Sequence, residues 1–450
     1  MPIAKKTRIF LVMVISMVLG YLPWYNFSAV MSYIARDFGL SSDQMGIILS
    51  AFQLGYVIVV VLTGWLADKV GEKKVVAWAT LCTAVFSTLF VFLSFGFWSI
   101  LILRLLTGLS AGAIYVPGMS FLSNWFPPEE RGKVIGAYTG ALTLAYGGGY
   151  FIASPLAANF GWEIGIIFTS LPAFLAAFLV FKYAESPDLE DVTDTSSSEL
   201  AREDNQKQDN DAEPTTLLGD RQAAKTPPTV QPKPAPEGGY SGPIVISCGY
   251  MGHMWELYAF WGWIGPFMSA CALQVGYDAG EAVAVGGFLA ALIIVSGAPA
   301  VYLMGIAADK WGRTVTIFVC SVLSLLAQLV FGYLHGQSLV LVTIVGFWIG
   351  FWVVADSGIY KAGLTEMVIT RIRGTALGVQ SAVGYSMTVI SPFIFGLAVE
   401  FQNPDAADPM YGENWGLPFV ILGLGAVVAP ISAILLRRFK QARLMAKGKL

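Results

Sequence analysis

The sequence predicts an all-α integral membrane protein, with twelve transmembrane helices in two pseudo-symmetric six-helix bundles. Three observations predict it. The 450 residues are 56% hydrophobic and only 13% charged, against about 25% charged in a soluble domain, and the mean hydropathy is +0.65. Twelve runs are apolar over the length of about 20 residues that a bilayer crossing needs. One long polar stretch, 183–242, divides those runs into six and six.

The first run, 8–34, follows a basic start and resembles a signal peptide at first reading. It continues beyond the roughly 7–15 apolar residues of a signal and has no small-residue cleavage site, so a retained helix is expected. Runs then follow at 43–67, 74–94, 98–124, 133–158 and 162–182, and complete an N-terminal bundle over 1–182. The stretch 183–242 is rich in Ser, Asp, Pro and Gln and nearly free of aromatic residues. It cannot bury enough apolar surface to offset the entropy of ordering, and a disordered linker is expected. The second set, 243–272, 280–307, 314–333, 338–364, 374–399 and 416–436, forms with a short basic tail a C-terminal bundle over 243–450. All are expected to be helices, because a helix satisfies its own backbone hydrogen bonds in lipid and an open strand does not.

Lysine and arginine orient the chain. With the N-terminus inside, 24 of the 27 fall in inside segments; Arg36 lies outside, and Arg104 and Lys361 lie within apolar runs. Both termini and the linker are therefore expected to be cytoplasmic, in a multi-pass protein of the cell membrane.

Composition also excludes several classes. A net charge of −3 and a pI near 5.5 argue against nucleic-acid binding, which needs a basic patch. The four cysteines, Cys82, Cys248, Cys271 and Cys320, are scattered through apolar runs without C-x-x-C or metal spacing, and read as small buried hydrophobes. No H-E-x-x-H, G-x-S-x-G elbow or P-loop is present, so an enzyme is not expected, nor a metal or cofactor.

The two halves echo each other. "GWLADKVGEKK" follows the second run and "GIAADKWGRTV" the eighth, 241 residues later; "EERGKVIGA" and "RIRGTALGV" repeat at an offset of 242. Many transporter folds use such a duplicated unit, with the substrate near the midplane between the halves. Over the whole chain outside the linker, the pattern resembles the major facilitator superfamily. Its Gly-x-Leu-Ala-Asp-Arg-x-Gly-Arg-Arg-like loop is matched by Gly64, Leu66, Ala67, Asp68, Lys69, Gly71 and Lys73, with Glu72 where a base is usual. The second copy keeps Gly305, Asp309, Gly312 and Arg313. The resemblance implies that these loops latch the cytoplasmic ends of the halves. "RLLTGLSAG" and "NWFPPEERG" are similar to the anion:cation symporter branch and its nitrate-porter-like neighbours, although Ala111 and Gly112 stand where that branch often has an acid. The Gly-Pro pair of drug/proton antiporters is absent from "GALTLAYGGGYFIASP".

A charge at mid-bilayer costs at least about 2.5–3.5 kcal/mol and is usually retained for work in a wet cavity. Arg104 lies about six residues into its run, roughly 10 Å deep, and is expected to clamp an anion. Glu256 lies near the middle of the seventh run, with His253 on the same helix face at i−3. They form a candidate proton-coupling pair, joined by Asp356 in the tenth run. Lys361, five residues on from Asp356, is a second candidate for the anion. Tyr25, Asn26 and Tyr258 lead a set of polar and aromatic candidates for substrate contact, with Tyr21, Tyr115, Tyr138, Tyr146 and Gln380 behind them. A loose alignment of "PWYNFSAV" with "MWELYAFW" pairs Tyr25 with Glu256. His335, in "YLHGQS", is expected to be solvated.

The resulting expectation is a secondary transporter working by alternating access as a monomer in the bilayer. It would couple protons to symport of a small organic, monocarboxylate-like, or inorganic anion. An exporter or exchanger of an amphipathic or aromatic metabolite or drug is the alternative.

Overall fold

The computed structural model describes residues 5–185, 239–369, 372–406 and 409–448, so most of the expected linker lies outside the described residues. Among the described residues there are helices and no strands. The first half comprises α1 (Lys5–Tyr21), α2 (Asn26–Ala29), α3 (Met31–Phe38), α4 (Ser42–Val70), α5 (Glu72–Leu93), α6 (Phe97–Ala111), α7 (Tyr115–Trp125), α8 (Pro128–Phe160) and α9 (Trp162–Tyr183). The second comprises α10 (Ser241–Gln274), α11 (Ala279–Val295), α12 (Gly297–Trp311), α13 (Arg313–Phe331), α14 (Leu339–Ala355), α15 (Ser357–Met367), α16 (Arg373–Gln402), α17 (Gly416–Ala426) and α18 (Val428–Leu436).

These helices trace the twelve expected passages, with a difference that the apolar runs conceal: five passages are broken. The first breaks at Leu22–Tyr25, where Pro23 has no N–H to give to a helix. The fourth breaks at Gly112–Ile114, the eighth at Ser296, the tenth at Asp356 and the twelfth at Val427. Broken helices free backbone groups at membrane depth, and these are tolerated only where protein groups bind them. Among the described residues nine segments are apolar and long enough to cross a membrane by their own composition. Large apolar side chains such as Leu62, Trp98, Phe168, Leu175 and Ile344 are exposed along the outside, as a lipid-facing surface requires.

The glycines of the two motif loops do what their spacing predicts. Gly71 joins α4 to α5 at φ 92°, and Gly312 joins α12 to α13 at φ 102°. Both lie in the region open to a residue without Cβ.

Between the halves, α4 packs on α16 and α8 on α11. Both contacts are concentrated on the face opposite the chain's termini. There a Cβ on Gly46 would stand 2.8 Å from the Pro392 carbonyl oxygen, and one on Gly396 would stand 3.0 Å from Gly46 Cα. A Cβ on Gly147 would lie 2.9 Å from the Ala291 carbonyl oxygen. The Ser42 amide donates to Glu400 Oε2 across this seam at 2.8 Å. Toward the terminal face the picture reverses. Added Cβ atoms at Gly136, Gly140, Gly374 and Gly378 would meet nothing within 4 Å, and α8, which lies along α11, scarcely touches α12. The halves are thus joined at one face and diverge at the other.

Candidate functional site

Where the seam ends, aromatic rings from both halves converge. Trp24, set at the break between α1 and α2, lies 4.9 Å from Phe52, 4.8 Å from Tyr56 and 5.0 Å from Tyr146, centroid to centroid. The second half contributes Tyr258, 6.4 Å from Trp24, and Trp261, 5.3 Å from Tyr146. Tyr385 of α16 closes on Tyr56 at 5.5 Å. The interplanar angles are mostly tilted or edge-to-face, which is how ring quadrupoles prefer to meet. The Tyr150 hydroxyl donates to the Trp261 carbonyl at 2.8 Å and ties α8 to α10. Tyr25 and Tyr258, expected at the substrate, are both in this ring cluster; Trp24, Tyr56, Trp261 and Tyr385 were not foreseen. Their signal in the sequence is weak, because a ring in an apolar run reads equally as packing.

Arg104 is buried, as its depth predicted, but it faces backbone. Its Nη2 donates to the Trp24 carbonyl at 2.9 Å and its Nη1 to the Pro23 carbonyl at 3.2 Å. These are groups that the broken first passage leaves free. The guanidinium also lies over the Phe52 ring at 4.4 Å, a favourable cation–π geometry. No carboxylate pairs with it among the described residues. The arginine expected to hold substrate therefore holds, in this conformation, the backbone that carries Trp24.

Asn26 is buried beside it, and its Nδ2 donates to Thr169 Oγ1 at 3.0 Å and to Ser87 Oγ at 3.5 Å. This knot has a counterpart in the second half. Ser324 Oγ and Gln328 Nε2, one turn apart on α13, both donate to Glu256 Oε1. Asn26 and Glu256 thus each bind their own half's third helix, α5 or α13. Judged only by the third helix that each binds, Glu256 answers to Asn26, the neighbour of the Tyr25 that the alignment pairs with it. A kinked helix against a straight one defeats simple residue counting.

The expected pairing of His253 with Glu256 is also corrected. His253 Nδ1 lies 2.9 Å from Asp356 Oδ1, and its Nε2 lies 2.8 Å from Ser357 Oγ. Tyr250 stacks on the imidazole at 5.9 Å. The break in the tenth passage delivers both Asp356 and Ser357 to the histidine. Lys361, on α15, is half-buried and makes no ion pair among the described residues. Other polar candidates tie helices together: Tyr21 donates to the Ala111 carbonyl, Tyr138 to that of Ile114, and Gln380 to that of Tyr360. The Tyr115 hydroxyl meets Thr139 at 2.8 Å. His335, expected to be solvated, is half-buried, and burial pushes it below the usual histidine range.

At the terminal face, Arg313 lies 2.7 Å from Asp309 and donates to Glu366 at the end of α15, at 2.8 and 3.3 Å. In the first copy, Glu72 accepts from Ser120 and Asn124 of α7 at 2.8 and 2.9 Å. Gly64 lies within α4, the side chain of Asp68 lies outside the described residues, Lys73 is half-buried, and Gly305 is half-exposed. Among the described residues no cluster has the make-up of a metal site.

Comparison with known proteins places this architecture. The hexuronate transporter of Bacillus subtilis (strain 168) is 31% identical over 187 residues, 42% of this chain and 44% of that one. The chain thus spans less than half the length of that relative. The crystal structure of a bacterial homologue of the human lysosomal transporter Spinster, inward-facing and unoccupied, superposes with a TM-score of 0.72 at 14% identity. It covers 100% of this chain and 99% of that one. The D-xylose–proton symporter matches with a TM-score of 0.66 at 15% identity, over 96% and 97% of the two chains. At these identities the structures speak for the fold alone. The family model described as Major Facilitator Superfamily matches residues 13–392, and the chain therefore belongs to that superfamily of membrane transporters.

Proposed function

We propose that this transporter is a proton-coupled symporter of a small organic anion, with its terminal face in the cytoplasm. The observation that carries this reading is the uneven placement of buried charge. Among the described residues, the first half buries one charged side chain, Arg104, and the second buries His253, Glu256 and Asp356. In a low-dielectric interior such charges act over several ångströms. An anion bound between the halves would be attracted by the guanidinium, which has no carboxylate partner among the described residues, and repelled by the carboxylates, unless a proton accompanies it. Glu256 and the His253–Asp356 pair are the groups to carry that proton. Tyr25 and Tyr258 serve the substrate directly, Asn26 from behind, and Lys361 along the path from the terminal face. The loops at Gly64, Asp68, Gly71 and Lys73 and at Gly305, Asp309, Gly312 and Arg313 gate that face as the halves rock.

Purified protein in liposomes tests this. With the outside acidified, wild type should accumulate a carboxylate. Glu256→Gln and Asp356→Asn should still exchange it across the membrane without accumulating it. Wild-type accumulation by both variants would remove the coupling assignment. The cluster of aromatic rings between the halves also favours the second reading, export or exchange of an amphipathic solute, under which outside acid would drive efflux instead.

A further inference from the structure

The chain carries a basic segment that transport does not use. Residues 437–450 hold six lysines and arginines and no acid, although the net charge of the whole sequence is −3. The segment starts where the membrane passage stops, since Arg437 follows directly on Leu436, the last residue of α18. Lys440–Gly448 is a helical stretch laid against α15, and it also touches α10 and α12. Its small and apolar residues face the protein. Ala442 and Met445 are buried, and a Cβ on Gly363 would stand 3.0 Å from the Met445 sulfur. Two hydrogen bonds fix it: Gln441 Nε2 donates to the Gly239 carbonyl at 3.1 Å, and the Ala446 amide to Glu366 Oε2 at 3.0 Å. The cations lie on the other side. Arg437, Arg438, Lys440 and Arg443 are all exposed and make no ion pair among the described residues.

The neighbouring side chains mark the depth. Tyr240, just before α10, Trp311, at the end of α12, and Leu444 of the tail itself are 63%, 55% and 51% exposed. Tyrosine and tryptophan at the ends of passages sit at the level of lipid headgroups. A basic helical stretch that also leaves a leucine uncovered suits that same level, with phosphates on one side and acyl chains on the other. A soluble acidic partner would match the cations and leave these apolar side chains in water. An anionic lipid matches both.

We propose that the tail is a docking surface for anionic lipid headgroups at the terminal face, held by Arg437, Arg438, Lys440 and Arg443. Each such cation near an anionic surface is worth about fivefold in affinity. Glu366 binds both the tail and Arg313, so a lipid seated on the tail also steadies the second motif loop.

The experiment titrates short-chain phosphatidylglycerol into the full chain in neutral detergent, with phosphatidylcholine of the same chain length in parallel, and reads the unfolding temperature. A ligand that binds only the folded state raises it. Phosphatidylglycerol should raise it and phosphatidylcholine should not. Salt at about 1 M, where the Debye length is about 3 Å, should erase the difference. Arg437→Gln, Arg438→Gln and Arg443→Gln combined should raise the half-effective phosphatidylglycerol concentration about tenfold or more. Lys6→Gln, Lys74→Gln and Lys182→Gln combined remove the same charge from exposed positions of the first half, and should leave it nearly unchanged. Equal weakening by the two triple variants would reduce the effect to general surface charge and overturn the proposal. An unchanged response in the tail variant would overturn it too, as would an equal response to phosphatidylcholine. The lipid and salt comparisons need only the wild type, so they decide even where the tail variant folds poorly.

Discussion

Glu72 and Arg313 occupy the same position of the two repeated loops, 241 residues apart, with opposite charge and inverted partners. Glu72 accepts from Asn124 and Ser120, whereas Arg313 donates to Glu366, which sits at the position equivalent to Asn124. Each loop is thus fastened to the following pair of helices within its own half, by a salt bridge in one and by neutral donors in the other.

The two fastenings should differ in strength. Glu366 also accepts the Ala446 amide of the tail segment at 3.0 Å, so Glu366→Gln weakens a bidentate ion pair and that contact together. A loss of about 1.5–3 kcal/mol is expected. Glu72→Gln, with exposed neutral partners, should cost about 0.5 kcal/mol or less. Thermal unfolding in detergent compares them; equal losses would contradict the asymmetry.

Glu400 bridges the halves through the Ser42 amide. Removing it with Glu400→Ala deletes one hydrogen bond of about 1 kcal/mol, and it acts only where the seam is shut. The open-seam population should rise about fivefold, read as longer distances between spin labels at Ser41 and Phe401. An unchanged distance distribution would show that the carboxylate does not hold the seam.

Arg104 supports the break that presents Trp24. Arg104→Ala should leave the Pro23 and Trp24 carbonyls unsatisfied and cost about 1–3 kcal/mol of stability. If the residue instead touched only substrate, thermal unfolding would be unchanged and KM alone would rise.

His335 gives a pH dependence outside the spans. Burial holds it below the ordinary histidine value of about 6.5, so the folded state binds its proton less readily than the unfolded state. Stability should therefore fall as pH drops through about 6.5, and His335→Gln should flatten that slope in unfolding scans. An unaltered slope would assign the acid sensitivity elsewhere.

The passages, their order and the repeated loops were legible in the sequence because lipid imposes a simple rule on composition and length. Of the breaks, "LPWY" betrays the one at Pro23, but Asp356–Ser357 carries no such mark, and its contact with His253 exists only in the folded chain. The buried charges were found as candidates by their cost in a membrane. Their partners were hidden, since Ser324 and Gln328 stand out little in an apolar run. His253 and Glu256 share a helix face and still divide between α13 and the tenth passage.

The seam of Gly46 and Gly396 has one more consequence. At these two positions backbone meets backbone directly, with the Trp263 ring beside Gly396. Larger residues at either position are therefore expected to force α4 and α16 apart at this face, because backbone stands where a Cβ would have to go.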